Sequence, residues 1–250
     1  MTRSRLSILA VALILAIGIG GYIAYDQVLS GDSVAPLALA TPAPDASPTE
    51  PAASAESGAS TEPVGGSDGI VAGEWTVSEG SQAGYRVREQ LASLSADSDA
   101  VGRTTDVTGS ITVASDGTMI TVTAGTLSVE TTTIASDEDR RDDRLRTEGL
   151  QTDSFPSATF TVTESAEVPA AAVTGTASDL TLVGDLTLHG VTKSVSIPAQ
   201  AQLVDGTIQV QGSITFPLAD YDIVAPNVGG FIISIADEGT LEFLVTFTKS

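Results

Sequence analysis

The sequence predicts an all-β fold, an antiparallel barrel or sandwich, from about residue 70 onward. Apolar and polar residues alternate over many short stretches there, as in strands with one buried face. The pairs Asp116-Gly117 and Asp205-Gly206 separate such stretches, and Asp-Gly is among the strongest short signals for a hairpin. Aromatic residues make up only 4% of the chain, and Val, Ile, Leu, Thr, Ala and Gly carry the pattern instead.

The clearest pair of strands lies in residues 176–197. Leucines recur at even positions before a corner at His189-Gly190, with Thr181 and Thr187 between them. After the corner, branched apolar residues alternate with Thr and Ser over residues 191–197. This alternation on both sides of a His-Gly corner predicts an antiparallel hairpin with one face in a core.

Other stretches continue the same pattern, and we expect about eight strands in all. The further stretches with this pattern cover residues 74–77, 83–88, 106–113, 119–131, 158–162, 207–216 and 241–248, and residues 199–204 continue the strand after the corner. Strands this closely spaced favour antiparallel connections, but the binary pattern alone does not distinguish a barrel from a sandwich.

Residues 1–29 are predicted to form an N-terminal signal-anchor with a single transmembrane helix. Arg3 and Arg5 precede an apolar run over residues 6–24, about the 20 residues that a helix needs to cross a bilayer. The two arginines predict that the N-terminus is cytoplasmic, the chain is held in the cell membrane, and the remainder is extracytoplasmic. A cleaved signal peptide is the alternative and implies secretion, but no small-x-small site closely follows the run.

Residues 30–69 are predicted to be a disordered linker that precedes a folded domain at residues 70–250. The linker is rich in Ala, Pro, Ser, Thr, Gly and Glu and has no apolar periodicity. Such a segment cannot bury enough surface to offset its ordering entropy. Stretched as polyproline II it reaches up to roughly 100 Å.

Composition and single residues exclude several classes of function. The net charge of -21 disfavours a nucleic-acid partner, and the absence of cysteine excludes disulfides and thiolate zinc sites. His189 is the only histidine, and we expect it to be a turn residue with a backbone hydrogen bond. The sequence contains no nucleophile with a credible base, no acidic residues at the spacing of a metal site and no phosphate-binding loop. We therefore expect a protein that is not an enzyme and that needs no metal or cofactor.

Residues 135–152 interrupt the strands with a dense run of charge. Ser136 predicts an N-terminal cap for a short helix, and Gly149 predicts its end. Four of the chain's basic residues cluster here, at positions 140, 141, 144 and 146. One interpretation is a solvated helix with its own ion pairs, and the other is a basic patch at a cavity mouth that meets a head group.

Several motifs, in this order and spacing, resemble the YceI-like family of isoprenoid-binding proteins. These are Trp75-Thr76-Val77, residues 107–111, Arg141-Asp142, the stretch from Phe155 to Phe160, and residues 184–193. The resemblance covers residues 73–249. It implies a lipocalin-like barrel of eight antiparallel strands around an apolar tunnel that holds a polyisoprenoid chain, such as a prenyl quinone or a polyprenyl phosphate.

The resemblance also implies candidate ligand-binding residues. Arg141 and Arg144 are expected at the head group, although the family often has His at the position of Arg144. The predicted tunnel residues are Phe155, Phe160, Leu186, Leu188 and Phe216. The aromatic residues among them are expected to lie in the core as well.

Two functions follow from these expectations. The first is a non-enzymatic carrier or store for an isoprenoid lipid, held outside the membrane by its N-terminal helix. The second is a membrane-anchored extracellular β-sandwich that serves as a scaffold or adhesion domain and has a filled interior. They differ in whether the inward faces of the strands leave a tunnel.

Overall fold

The computed structural model describes residues 34–39, 71–91, 97–116, 119–225 and 232–250. The predicted signal-anchor and most of the predicted linker lie outside these residues. In the described part of the chain, no helix has the length and apolar character that crossing a membrane requires.

Twelve strands are present in the described residues, and they form one sheet. In chain order they are β1 Gly73–Val77, β2 Gln82–Leu91, β3 Asp97–Thr104, β4 Val107–Ser115, β5 Ile120–Glu130, β6 Ser157–Val162, β7 Ala166–Val168, β8 Ser178–Leu188, β9 Val191–Val204, β10 Thr207–Pro217, β11 Ile232–Ile235 and β12 Glu238–Lys249.

The sheet closes on itself as an eight-stranded antiparallel barrel. The order around it is β1-β4-β5-β6-β8-β9-β10-β12, and β12 pairs back to β1 through Trp75 with Lys249 and Val77 with Phe247. Strands β2 and β3 extend the wall beside β12, and β11 pairs with β2. The structure thus confirms the all-β prediction and decides for a barrel over a sandwich.

Two predicted hairpins have the turn geometry that their sequences require. His189 and Gly190 have φ values of 51° and 77°, and Asp205 and Gly206 have 51° and 75°. Two consecutive residues with positive φ make the type I′ turn, whose twist suits the flanking strands. The hairpins β8–β9 and β9–β10 predicted from sequence are therefore confirmed.

The charged segment forms a short helix, α1 at Asp139–Arg144, followed by a π-helical turn at Leu145–Gly149. The predicted cap at Ser136 is wrong, because Glu138 is the N-cap residue and makes no capping bond with its side chain. Ser136 instead donates its backbone N–H and its hydroxyl to the buried carboxylate of Asp142. The predicted end at Gly149 matches the end of the π-helical turn.

One end of the barrel interior is densely filled. Trp75 and Phe247 are almost fully buried there, and the Trp75 indole N–H donates to the Val71 carbonyl at 2.8 Å. A 3₁₀ turn at Ala170–Thr174 buries Ala172, which lies at this end with Val71 and Phe247. We call this the closed end, and it is opposite to the end where α1 lies.

Candidate functional site

A cavity of about 860 Å³ occupies the barrel interior beneath α1. Its walls are mainly aliphatic and come from most strands of the barrel. The aliphatic lining residues are Ala83, Val87, Ala100, Val107, Leu127, Val129, Ile134, Leu145, Leu150, Ala158, Leu186, Leu188, Ile197, Ile214, Leu218, Ile223, Ala225, Ile235, Leu241 and Val245. Charged residues of α1 and of the turn before it also line the cavity at this end. We call this end of the barrel the mouth.

Small inward side chains contribute to the space at this end. Ala83, Ala100 and Ala158 line it, whereas Trp75 and Phe247 fill the closed end. The interior of an eight-stranded barrel is just wide enough for side chains to fill, so small inward residues leave space for a ligand.

An aromatic floor separates this cavity from a second, apolar cavity of about 60 Å³ at the closed end. Phe160 and Phe243 line both cavities, so their rings lie at the boundary between them. Each ring lies against a glycine: a Cβ added at Gly184 would come within 2.6 Å of Phe160, and one at Gly212 within 2.6 Å of Phe243. These two glycines therefore let the rings lie close to the wall.

Arg141 connects the mouth to the barrel wall. Its Nη2 donates to Glu89 on β2 at 2.8 Å, and Nη1 pairs with Asp137. The Glu89 side chain is only 3% exposed. Burial alone would lower the pKa of Arg141, but the two carboxylates outweigh it and raise that pKa above its ordinary value.

Two other arginines of the segment form ion pairs with carboxylates of the same segment. Arg144 pairs with Glu148 at 3.2 Å, and Arg146 pairs with Asp143 at 2.7 Å. This arrangement agrees with the interpretation of a helix with its own ion pairs. Arg144 also lines the cavity, so the segment contributes to the mouth as well.

Two buried polar atoms at the cavity lack a hydrogen-bond partner within the described part of the chain. They are the Tyr85 hydroxyl and the Arg141 Nε. Burial raises the pKa of Tyr85 to about 12, and the nearby Arg141 charge opposes this only in part. The Tyr85 ring lies against Gly102 on β3, where an added Cβ would come within 2.4 Å of it. A neutral phenol and a guanidinium N–H are therefore free to donate to a ligand oxygen.

Six of the seven residues predicted to bind ligand line the cavity: Arg141, Arg144, Phe160, Leu186, Leu188 and Phe216. Their contact with a ligand stays a prediction.

The seventh, Phe155, is not among the lining residues. Its ring packs on His189, with ring centroids 4.5 Å apart, and lies against Gly190. Phe155 comes before β6 begins, so the alternation of the strand does not set its direction. His189 is buried, and its Nδ1 lies 3.0 Å from the Tyr221 carbonyl oxygen, which agrees with a structural role at the turn.

Sequence reasoning missed Tyr85, Glu89 and Phe243 as parts of the site. The alternation along β2 and β12 carried a usable signal, because these residues share the inward positions of their strands. Only the pairing of β2 with β12 shows that they meet at one cavity. In the described residues, no cluster of His, Asp and Glu has the arrangement to hold a metal ion.

Comparisons with solved structures show the same fold. A polyisoprenoid binding domain from Saccharophagus degradans is 18% identical, with a TM-score of 0.54, and covers 72% of this chain and 99% of its own. Burkholderia cenocepacia BcnA is 12% identical, with a TM-score of 0.50, and covers 66% of this chain and 95% of its own.

Sequence comparison gives the family. No curated protein matches the chain at a significant level. A profile of the YceI-like domain matches residues 75–247, the region that forms the closed barrel. Because this match spans more than half of the sequence, the chain belongs to the YceI-like family.

Proposed function

We propose that the barrel binds an isoprenoid lipid in its cavity and stores or carries it outside the membrane, without catalysing a reaction. The main support is the cavity, because about 860 Å³ lies within the range of roughly 300–1,000 Å³ that is typical of small-molecule sites. The domain from Saccharophagus degradans that shares this fold is described as polyisoprenoid binding.

Burial of the hydrocarbon chain supplies the binding free energy. Each buried methylene contributes about 0.8 kcal/mol, so several isoprene units supply many kcal/mol before the loss of entropy on association. The lining offers few polar partners along the chain, which favours an alkyl chain over a polar one.

The polar end of the ligand meets the mouth. Tyr85 and Arg141 offer donors there, while Glu89, Asp137 and Glu138 place carboxylates at the same cavity. Because Glu89 and Asp137 already pair with Arg141, an added phosphate would be repelled more than a neutral carbonyl would. Of the two head groups expected from sequence, we therefore favour a prenyl quinone over a polyprenyl phosphate.

We further propose that residues 1–29 anchor the barrel to the cell membrane with the domain on the extracytoplasmic side. The apolar run and the two preceding arginines support this location. An anchor keeps a lipid carrier near the membrane from which its ligand comes.

The scaffold alternative depended on a filled interior. The cavity removes that premise, because the inward faces leave space in the half of the barrel nearer α1. No other observation on the described residues favours an adhesion role.

The test is lipid extraction from protein purified under native conditions, followed by mass spectrometry. We expect a stoichiometric prenyl lipid in the unaltered chain and its loss in Ala158→Phe, whose ring fills the cavity. Thr161→Phe is the matched control, since Thr161 is an exposed residue of the same strand. An empty extract that stays empty after incubation with prenyl quinones and polyprenyl phosphates would contradict the proposal.

A further inference from the structure

A short part of the predicted linker lies against the outside of the barrel. Arg86 donates to the Val34 carbonyl at 2.7 Å, and Arg103 donates to the Ala35 carbonyl. Leu37 is 8% exposed, and Leu39 is half-buried. We call residues 34–39 the strap. This contact differs from the expectation of a linker that is disordered throughout.

The barrel surface under the strap is a network of charges. Glu242 on β12 is only 4% exposed and accepts from Arg103 at 2.7 Å. Arg86 pairs with Asp99 at 3.1 Å and lies 3.7 Å from Glu242. Both strap carbonyls accept from the Nη2 atom of an arginine, and each of these Nη2 atoms also faces Glu242, so the strap joins the network.

The apolar residues of the strap agree with this docked position. Leu37 and Leu39 are the only leucines between residues 30 and 69. They alternate with the exposed Pro36 and Ala38, as in a strand with one face on a surface. The strap is therefore held by two backbone hydrogen bonds to the barrel, and its Leu37 side chain is buried.

The strap also has a direction. Strand β2 runs toward the mouth, because Glu89 near its end pairs with Arg141. Arg86 lies two residues nearer the mouth than Gly84, the residue paired with Arg103. Since Val34 contacts Arg86 and Ala35 contacts Arg103, the strap runs away from the mouth, and Val34 is its mouth-side end.

We propose that the strap orients the barrel so that its mouth faces the lipid bilayer. This inference rests on the proposed function and on the proposed N-terminal anchor. Nine residues, 25–33, separate the end of the apolar run at Ala24 from the strap, and they span at most about 30 Å. The whole predicted linker would allow roughly 100 Å and no fixed orientation. With the strap docked, a lipid passes between bilayer and cavity over a short path.

The test uses the full chain in liposomes that carry energy-transfer acceptors on their head groups. The chain has no cysteine, so one introduced cysteine takes one fluorescent donor. Val224→Cys labels the mouth side next to the lining residues Ile223 and Ala225, and Met119→Cys labels the closed end. Both residues are exposed, at 74% and 46%.

We expect several-fold stronger transfer from position 224 than from position 119. Equal transfer from the two positions, stronger transfer from 119, or release of the chain from the liposomes would overturn the proposal.

A second variant tests whether the strap causes the orientation. Leu37→Ser with Leu39→Ser removes the apolar contacts and leaves the barrel sequence intact. We expect faster amide exchange over residues 34–39 and loss of the difference between the two labels. Ala38→Ser, at an exposed position of the strap, is the control. It should retain the slow amide exchange and the difference between the two labels. An unchanged label difference despite fast exchange would show that the strap does not orient the barrel.

Lipid extraction from the same samples separates the two proposals. A chain with the expected orientation but no bound prenyl lipid would contradict the proposed function alone. A chain with bound lipid and no preferred orientation would contradict the role of the strap alone.

Discussion

Arg141 is the side chain that fixes α1 over the mouth. Its bond to Glu89 joins residues 52 positions apart in the sequence. Glu89 is nearly inaccessible to water, and a buried carboxylate without a partner is costly, so the pair opposes any movement of α1 away from β2.

Breaking this buried pair should destabilise the fold. We expect Arg141→Met to lower the free energy of unfolding by about 3–5 kcal/mol, because it leaves Glu89 charged and unpaired. Arg144→Met, which breaks an ion pair between side chains 40% and 49% exposed, should cost about 0–1 kcal/mol. Urea unfolding of both variants measures the difference, and equal losses would contradict the role assigned to Glu89.

Tyr85 should make the stability depend on pH in alkaline solution. The pKa of its phenol rises from 10.0 to about 12 on folding, mainly because burial disfavours the phenolate. The folded state therefore holds the proton more tightly, and this contribution is complete below pH 10 and is lost as the pH rises toward 12.

The variant Tyr85→Phe checks this expectation. Its free energy of unfolding should fall less between pH 10 and 12 than that of the unaltered chain, by about 2–3 kcal/mol. Unfolding by urea at a series of pH values measures it. The same slope in both proteins would show that Tyr85 ionises normally.

At the scale of elements, the two hairpins that share β9 use the same turn with different surroundings. Gly190 and Gly206 have nearly equal positive φ values, 77° and 75°. A Cβ at Gly190 would come within 2.6 Å of the Phe155 ring, whereas nothing lies within 4 Å at Gly206. The β8–β9 corner is thus part of the packed structure, and the β9–β10 corner is open.

Alanine at these two glycines should therefore have unequal effects. Gly206→Ala adds only the backbone strain of a positive φ, about 1–2 kcal/mol. Gly190→Ala adds the same strain and also displaces the Phe155 ring, so we expect a clearly larger loss of stability. Thermal unfolding of the two variants compares them directly. Equal shifts in Tm would mean that Phe155 moves away at no cost.

For the molecule as a whole, the aromatic floor sets how deep a ligand can enter. Phe160 and Phe243 divide the interior into cavities of about 860 and 60 Å³. The smaller cavity is apolar, and a hydrocarbon chain can reach it only if the ring of Phe160 or Phe243 is removed.

Phe243→Ala should join the two cavities and let the barrel hold a longer isoprenoid chain. Removal of the ring costs stability, about 3 kcal/mol, so folding is checked by circular dichroism. Competition between prenyl quinones of increasing length measures the preference, with Leu244→Ala as the control on the outward face of β12. If Phe243→Ala folds and prefers the same chain length as the unaltered protein, the aromatic floor does not limit how deep the ligand enters.

The local features of this protein could be predicted from its sequence. Alternation set which residues of β8 face inward, and the pairs His189-Gly190 and Asp205-Gly206 set two turns. These signals are local, since they depend on the two-residue period of a strand and on the φ values that a turn requires. The acidic charge likewise follows from composition alone.

The tertiary structure alone decided how these features combine. Closure depends on the pairing of β1 with β12, at opposite ends of the domain, and no local pattern specifies it. The cavity volume is what remains after side chains from all eight strands pack, so no single strand encodes it. Two further features also join residues that are distant in sequence, so no local pattern specifies them. They are the docking of the strap and the meeting of Arg141 with Glu89 and Tyr85 at the mouth.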